Sequence, residues 1–450
     1  MSNKVSASTK AQLLPYASAT ELLHAVRHLP DPILLDSCHP SDNAGRFSIA
    51  CATPTEVLEI HSAAELLLLE KLRQPLPPLT APEIQHLPFT GGWMGYWSYD
   101  AGRLFEQLPQ QAEDDLALPL IRMGLYPWAL VTDHQLQQTW LVGSFNPELA
   151  EQLLQHLQAS PIQVADEADF QLTNPFVSNL SHQAYLEHFE QVQAWLRSGD
   201  AYQVNLAQRF TASYKGSLYQ AWQQLRSDIN APWAAFMQWQ DKALLSLSPE
   251  RFLLAEPDGR VETRPIKGTR PRGQTPEEDQ HYRDELLHSA KDRAENLMIV
   301  DLLRNDLGRV CEPGSIRVPQ LFALESHTNV HHLVSHVTGQ LAPGKHPLDL
   351  LQACFPGGSI TGAPKLRAME IIETLEPCRR SIYCGSIGYL DRSGRMDFNI
   401  AIRTFIASDN QLHVWGGGGL VADSDGQTEY EETFHKVSWL IRCLQPTFPD

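Results

Sequence analysis

Lys267 sits in the segment ETRPIKGTRPRG (262–273), after Pro265-Ile266 and before Gly268-Thr269. An amine held there partly out of water would lose basicity and could act as a nucleophile. An exposed lysine is the commoner outcome of such a context. Glu250, in SLSPERF (246–252), follows a proline at the end of an apolar run. A carboxyl withdrawn from water there would keep its proton and serve as a general acid; pairing with Arg251 is the ordinary alternative. Asp292 and Glu295, three apart in SAKDRAENLMIVDLLRND, share a helix face, and Glu429 and Glu432 repeat the spacing with Lys436 one turn on. Leu, Met, Phe and Val fill the core positions of both segments, so the acids lie to one side. Two carboxylate pairs from separate helices suit one hard cation such as Mg²⁺ and leave positions open for a carboxylate ligand. A solvated face is the usual fate of such pairs.

Two glycine-rich stretches, ACFPGGSITGAPK (353–365) and WGGGGL (415–420), would let backbone amides approach an anion, or would simply turn. The first is not a nucleotide loop, because Ala363-Pro364 stands where Lys-Ser/Thr is required. Arg403, in the strand-like IAIRTF, is suited to clamp a carboxylate through two hydrogen bonds. His331 and His332 precede the strand-like LVSHVTG and read on their own as structural.

The elements that must position these groups follow from periodicity. Tyr185, Phe189, Val192 and Leu196 fall at spacings of 4, 3 and 4, which predicts a helix over 182–198 stopped by Gly199. Helices are also predicted over about 281–307 and 428–444. Strand-like runs cluster between them, including AAFMQW, ALLSLS, RFLLAEP and QLHVWGG. Clustered strands with separate helices favour an α+β fold with largely antiparallel sheets over alternating βαβ units. A break near 160–182 divides the 450 residues into an N-terminal part, 1–165, and a second part, 180–446, that holds all the groups above. The formal net charge of −18 argues against a nucleic-acid partner. The seven cysteines form no CxxC pair, and no apolar stretch has the length of a signal-peptide core or a membrane span. A reducing, cytoplasmic location is expected, with no membrane contact.

Taken together, SGDAYQVNLAQRF, SLSPERF, TRPIKGTRPRG, KDRAENLMIVDLLRNDLGRV, FPGGSITGAPKLRAMEIIETLEP, YCGSIGYL, IAIRTF and GGGGLVADSDGQTEYEETFHK resemble the chorismate-utilising enzymes. The resemblance is dense over 182–445 and weaker in the N-terminal LLDSCHP and FTGGWMGYWSYDAGRLFE. It implies large antiparallel β-sheets packed face to face with helices on the outside. It also implies Mg²⁺ between Glu295 and Glu432, with Asp292 and Glu429 nearby, holding the ring carboxylate of chorismate. Arg403 and Tyr389, with amides around Gly417 and Gly418, would hold the enolpyruvyl carboxylate. Thr269, Thr361 and His332 would lie against the substrate, Lys436 would add positive charge, and Glu250 would protonate the departing C4 hydroxyl. Ser37, Arg46, Phe47, Pro232, Trp233 and Ala234 resemble the family's tryptophan pocket.

Two positions bear on the reaction. Family members that add water carry a lysine where this chain has Gln203. Anthranilate synthases typically read PIAGT where this chain reads PIKGT, and a lysine there resembles the aminodeoxychorismate synthases. An amine that takes C2 first directs ammonia to C4, turning one displacement into two. No cysteine lies in a Gly-x-Cys-x-Gly elbow, so ammonia is expected from a separate glutamine amidotransferase subunit, and the later lyase step from another protein. The rival readings are an anthranilate synthase large subunit and a catalytically silent chorismate- or tryptophan-binding regulator. Lys267 argues against the first, and the full set Glu250, Lys267, Glu295, Arg403 and Glu432 against the second.

Overall fold

The computed structural model describes residues 9–38, 45–77, 79, 81–158, 168–227, 231–326 and 330–448. Two large sheets dominate. The first runs Thr9–Leu14, Gln138–Ser144, Trp128–Asp133, Phe47–Cys51, Ile33–Asp36, Trp233–Trp239, Lys242–Ser248, Thr404–Ser408, Gln411–Leu420, Gln203–Lys215 and Val177–Ser178. The second runs Ile266–Pro271, Val330–Gln340, Arg260–Thr263, Arg251–Ala255, Met396–Asn399, Ser386–Asp391, Gly92–Trp97, Ile121–Tyr126 and Glu56–Ile60. Neighbouring strands in both sheets are antiparallel. Residues 1–165 and 180–446 each supply strands to both sheets: Ile33–Asp36 pairs with Trp233–Trp239, and Gly92–Trp97 with Ser386–Asp391.

Strand alternation explains the layering. Ala235 and Met237 enter one core, which also holds Met94, Tyr96, Ile121, Met123 and Phe252 of the second sheet. Ala234 and Phe236, on the opposite face, enter a separate core with Leu22, Leu23, Trp222, Leu225 and Leu440 of the outer helices. The sheets therefore pack face to face, and helices cover the first sheet's outer side, the α+β arrangement expected.

The helix His182–Ser198 has the predicted bounds, with Ser181 capping its start and Gly199 left-handed at φ 82°. The other two predicted long helices are each broken. Ser289 leaves the helical region and caps the helix Ala290–Gly308 through a bond from Asp292 N, separating it from Pro276–His288. The C-terminal segment divides into Gly426–His435 and Ser438–Leu444, with non-helical Val437 buried between them. Apolar periodicity continues across both breaks, which is why it missed them.

Candidate active site

The chain crosses from one sheet to the other at 248–251 and again at 400–403, and these crossings run side by side. Leu247 N donates to Arg403 O (2.9 Å) and Ile400 N to Glu250 O (3.0 Å). Ser248 Oγ donates to Ile400 O at 2.6 Å. The crossings hold Glu250 and Arg403 where the sheets part. Arg403 is therefore not a strand residue, as the sequence suggested. It adopts φ 52° just before Thr404–Ser408, a turn that periodicity cannot report.

Glu250 and Lys267 meet on one residue. Ser359 Oγ donates to Glu250 Oε1 at 2.9 Å, and Lys267 Nζ donates to Ser359 O at 3.0 Å. Burial raises the Glu250 carboxyl to about 7, against opposition from the Ser359 hydroxyl, Lys267, the Ile266 amide and Arg403. Burial lowers the Lys267 amine below its ordinary value and Lys436 adds to this, while Glu295, Glu250 and Glu432 pull the other way. An acid that keeps its proton near neutrality thus stands beside an amine disposed to lose its own. Burial likewise brings the Arg403 guanidinium down to about 10, with Glu250 opposing. Among the described residues Arg403 has no carboxylate partner, only the Trp439 ring at 5.5 Å.

The acidic residues approach from Ala290–Gly308 and Gly426–His435. A Cβ at Gly418 would lie 2.8 Å from Glu429 Oε2, 3.8 Å from Glu432 Oε1 and 3.9 Å from Lys436 Nζ, so the bare glycine backbone forms one wall beside them. Glu432 is bound by Lys436 at 2.6 Å. Burial pushes this carboxyl up, but Lys436, Lys291 and Lys267 together carry it below its ordinary value. Glu429 accepts from Ser424 Oγ (2.7 Å) and is held up by burial. Glu295 is half-buried and also raised by burial, and no hydrogen bond or ion pair engages it among the described residues. Asp292 is drawn aside by Arg270 at 3.1 Å. No three acidic, histidine or cysteine side chains are already gathered as a metal cluster among the described residues. The donor set nevertheless fits a divalent cation: hard oxygens from two helices, with Glu295 an unengaged acceptor.

The remaining predicted residues divide. Gly417 and Gly418 lie in the strand Gln411–Leu420, paired with Ala207 and Leu206, so WGGGGL is a strand and not a turn. Lys436 Nζ donates to Gly417 O at 2.8 Å. A Cβ at Gly416 would fall 2.0 Å from Thr433 O, so the glycines let the acidic helix lie directly on the strand. Thr361 is buried and spends its hydroxyl on Gly357 O (3.0 Å). Thr269 Oγ1 meets His332 Nδ1 at 2.9 Å, whereas His331 is fixed by Asp279 (3.0 Å) and Ser326 (2.8 Å).

Tyr389 does not join Arg403. Its place in Ser386–Asp391, opposite Met94 and Asp397, turns its ring toward Phe89 (5.4 Å) and into a different cavity. That cavity, about 420 Å³, also brings together Ser37, Arg46, Phe47, Pro232, Trp233 and Ala234. In the turn before the same strand, Tyr383 stacks on Trp415, next to the glycines (5.7 Å, 7°).

Sequence reasoning missed three residues around Glu250 and Lys267. Ser359 was seen only as part of a glycine-rich run. Arg380 is fully buried, bound to Glu376 (2.6 Å), and donates to Ile360 O (3.0 Å) and Asn205 O (2.8 Å). Glu376 in turn accepts from Ala207 N at 2.9 Å. The available signal was the four-residue spacing from Glu376 to Arg380 in EPCRR.

Residues 32–442 match the model of the chorismate binding enzymes, and the chain belongs to that family. It is 47% identical over 438 residues to aminodeoxychorismate synthase component 1 of Salmonella typhimurium, covering 93% of this chain and 94% of the relative. Identity to the Escherichia coli protein of the same name is 46% over 432 residues, with 93% and 94% covered. Among solved structures, anthranilate synthase component I from Streptococcus pneumoniae superposes with a TM-score of 0.78 at 31% identity, covering 90% of this chain and 94% of that one.

Proposed function

We propose that this chain is the chorismate-aminating subunit of an aminodeoxychorismate synthase. It converts chorismate and ammonia to 4-amino-4-deoxychorismate, a step toward 4-aminobenzoate and folate. The observation that carries the reading is the meeting of Lys267 and Glu250 on Ser359, a half-buried amine and a buried carboxyl of raised pKa on one support.

Glu250 gives its proton to the C4 hydroxyl while Lys267 attacks C2 and the ring double bond shifts. Water leaves, and the ring is joined to the lysine nitrogen. Ammonia then adds at C4, the double bond shifts back, the C2–nitrogen bond breaks to return the neutral lysine, and the proton shed by the new C4 ammonium restores the Glu250 acid. Arg403, without a carboxylate ion pair among the described residues, binds a substrate carboxylate. Glu295 and Glu432 would hold Mg²⁺, with Glu429 and Asp292 close by. When bound, the ion supplies positive charge for the ring carboxylate.

Ammonia comes from a separate glutamine amidotransferase, in keeping with the "component 1" in the names of the relatives. No helix of the described residues is long and apolar enough to cross a membrane, and all seven cysteines are free thiols, which supports a reducing cytoplasm. The second cavity, with Trp233 and Phe47 in its wall and the volume of a small aromatic ligand, binds a tryptophan-like amino acid. The test is to incubate the purified chain with chorismate, Mg²⁺ and ammonium at alkaline pH and identify products by mass. The 4-amino product is expected. Anthranilate as the main product would reassign the chain to the other branch.

A further inference from the structure

Ser359 hydrogen-bonds both the Glu250 carboxyl and the Lys267 amine, and it is held firmly. It lies in the short turn Gly358–Ile360. Thr361 Oγ1 closes that turn on Gly357 O (3.0 Å), and Arg380 Nη1 holds Ile360 O (3.0 Å). A Cβ at Gly358 would come within 2.4 Å of Leu302 Cδ2, and one at Gly357 within 2.8 Å of Ile400 Cδ1. The turn is thus pressed against the 400–403 crossing on one side and the helix Ala290–Gly308 on the other.

We propose that Ser359 is a positioning residue for the proposed amination: its hydroxyl decides which oxygen of Glu250 carries the acid proton, and its carbonyl aims the Lys267 amine. A carboxylic acid has one accepting oxygen and one that bears hydrogen. With the Ser359 hydroxyl as donor to Oε1, beside the Ile266 amide that also donates to this carboxyl, Oε1 is the accepting oxygen and the acid proton is left to Oε2. Substrate therefore meets a fixed donor. Lys267 spends one N–H on Ser359 O, which restricts rotation of the amine and sets its lone pair away from the turn once the amine is neutral. One residue thereby orients both partners of the first displacement, where a small misplacement costs roughly a hundredfold in rate.

This inference rests on the functional reading above, and the test separates the two. The groups facing Glu250 are the Ser359 hydroxyl, the Ile266 amide, Lys267 and Arg403, with the Cys384 thiol also in electrostatic reach. Removing the hydroxyl donor leaves burial less opposed, so Glu250 holds its proton to higher pH.

Three proteins are compared: wild type, Ser359→Ala and Ser359→Thr. Each is assayed with chorismate and ammonium across pH, and each is titrated by infrared spectroscopy. The Glu250 carboxyl band is identified by its loss in Glu250→Gln. For Ser359→Ala the expectation is a kcat lower by roughly tenfold or more, with KM for chorismate little changed. Its limb near neutral pH, and the midpoint of its infrared band, should both move upward. Ser359→Thr, which keeps hydroxyl and carbonyl, should return both toward wild type. An Ala variant with native melting behaviour, an unmoved infrared midpoint and a superimposable pH profile overturns the proposal. So does a Thr variant as impaired as Ala. If wild type makes no 4-amino product the functional reading fails instead, and the infrared midpoint still decides the role of Ser359.

Discussion

The cavity walled by Trp233 and Tyr389 and the site around Lys267 treat charge in opposite ways. Around the cavity the protein matches its own charges. Arg46 binds Asp133, Arg226 binds Asp36, Arg251 binds both Asp397 and Glu262, and Arg395 reaches Glu256. Around Lys267 the matching is incomplete. Among the described residues Glu295 has no hydrogen bond or ion pair, Arg403 has no carboxylate ion-pair partner, and Lys267 is anchored to a carbonyl. Burying a charge without a partner is expensive, and a fold retains such groups where something else completes them. Under the proposed function the first region would hold a ligand of balanced charge without altering it. The second would be completed by a dianionic substrate and a cation, and its perturbed acid and base follow from burial.

Substitutions on either side can break this contrast. The largest effect belongs to Lys267→Ala, which removes the covalent route. Turnover to the 4-amino product should vanish, and any residue should drift to the 2-amino compound or anthranilate as ammonia enters the vacated space. Product analysis by mass reads both, with the melting temperature near wild type because no core residue is lost.

Glu250→Gln keeps shape and loses the proton, so kcat should fall about 10²–10⁴-fold. The wild-type profile should be bell-shaped. Activity falls at low pH as Lys267 takes up a proton, and falls at high pH as Glu250, raised by burial to about 7, gives its proton up. The Gln variant should lose the limb that Glu250 governs.

Glu295→Gln and Glu432→Gln should each raise the Mg²⁺ concentration needed for activity. Wild-type activity that survives dialysis against chelator would contradict the metal role. Arg403→Ala should act chiefly on KM, by roughly ten- to a hundredfold for a lost charged hydrogen-bonded pair of about 1.5–3 kcal/mol.

The smallest effect is expected in the matched cavity. Millimolar tryptophan should raise the melting temperature and release or absorb heat in calorimetry while leaving product identity unchanged. Absence of both signals would remove the idea.

Local signals carried most of the architecture. The helix 182–198 and the central strands were legible because a single face, or two alternating faces, are buried. The breaks at Ser289 and Val437 were not, since packing against different neighbours keeps the apolar period intact across them. The site was legible where a residue type states its chemistry, as for Lys267 and the paired acids. It was not legible where position decides. Tyr389 and Tyr383 lie six residues apart, and only the strand register sends Tyr389 to the other cavity. The Ser359 backbone carbonyl accepts from Lys267 and Arg380 donates to the Ile360 and Asn205 carbonyls, contacts that leave no pattern in side-chain composition.

In the proposed reaction the half-buried amine of Lys267 forms a bond to substrate, and trapping tests this most directly. Wild-type protein is incubated with chorismate and Mg²⁺ without ammonia, quenched and digested. The peptide containing Lys267 should gain the mass of chorismate less water, and Lys267→Ala should show no such gain. A wild type that never carries the adduct, together with a Lys267→Ala variant that makes 4-amino-4-deoxychorismate at undiminished rate, would contradict the covalent route and leave this lysine an electrostatic contact.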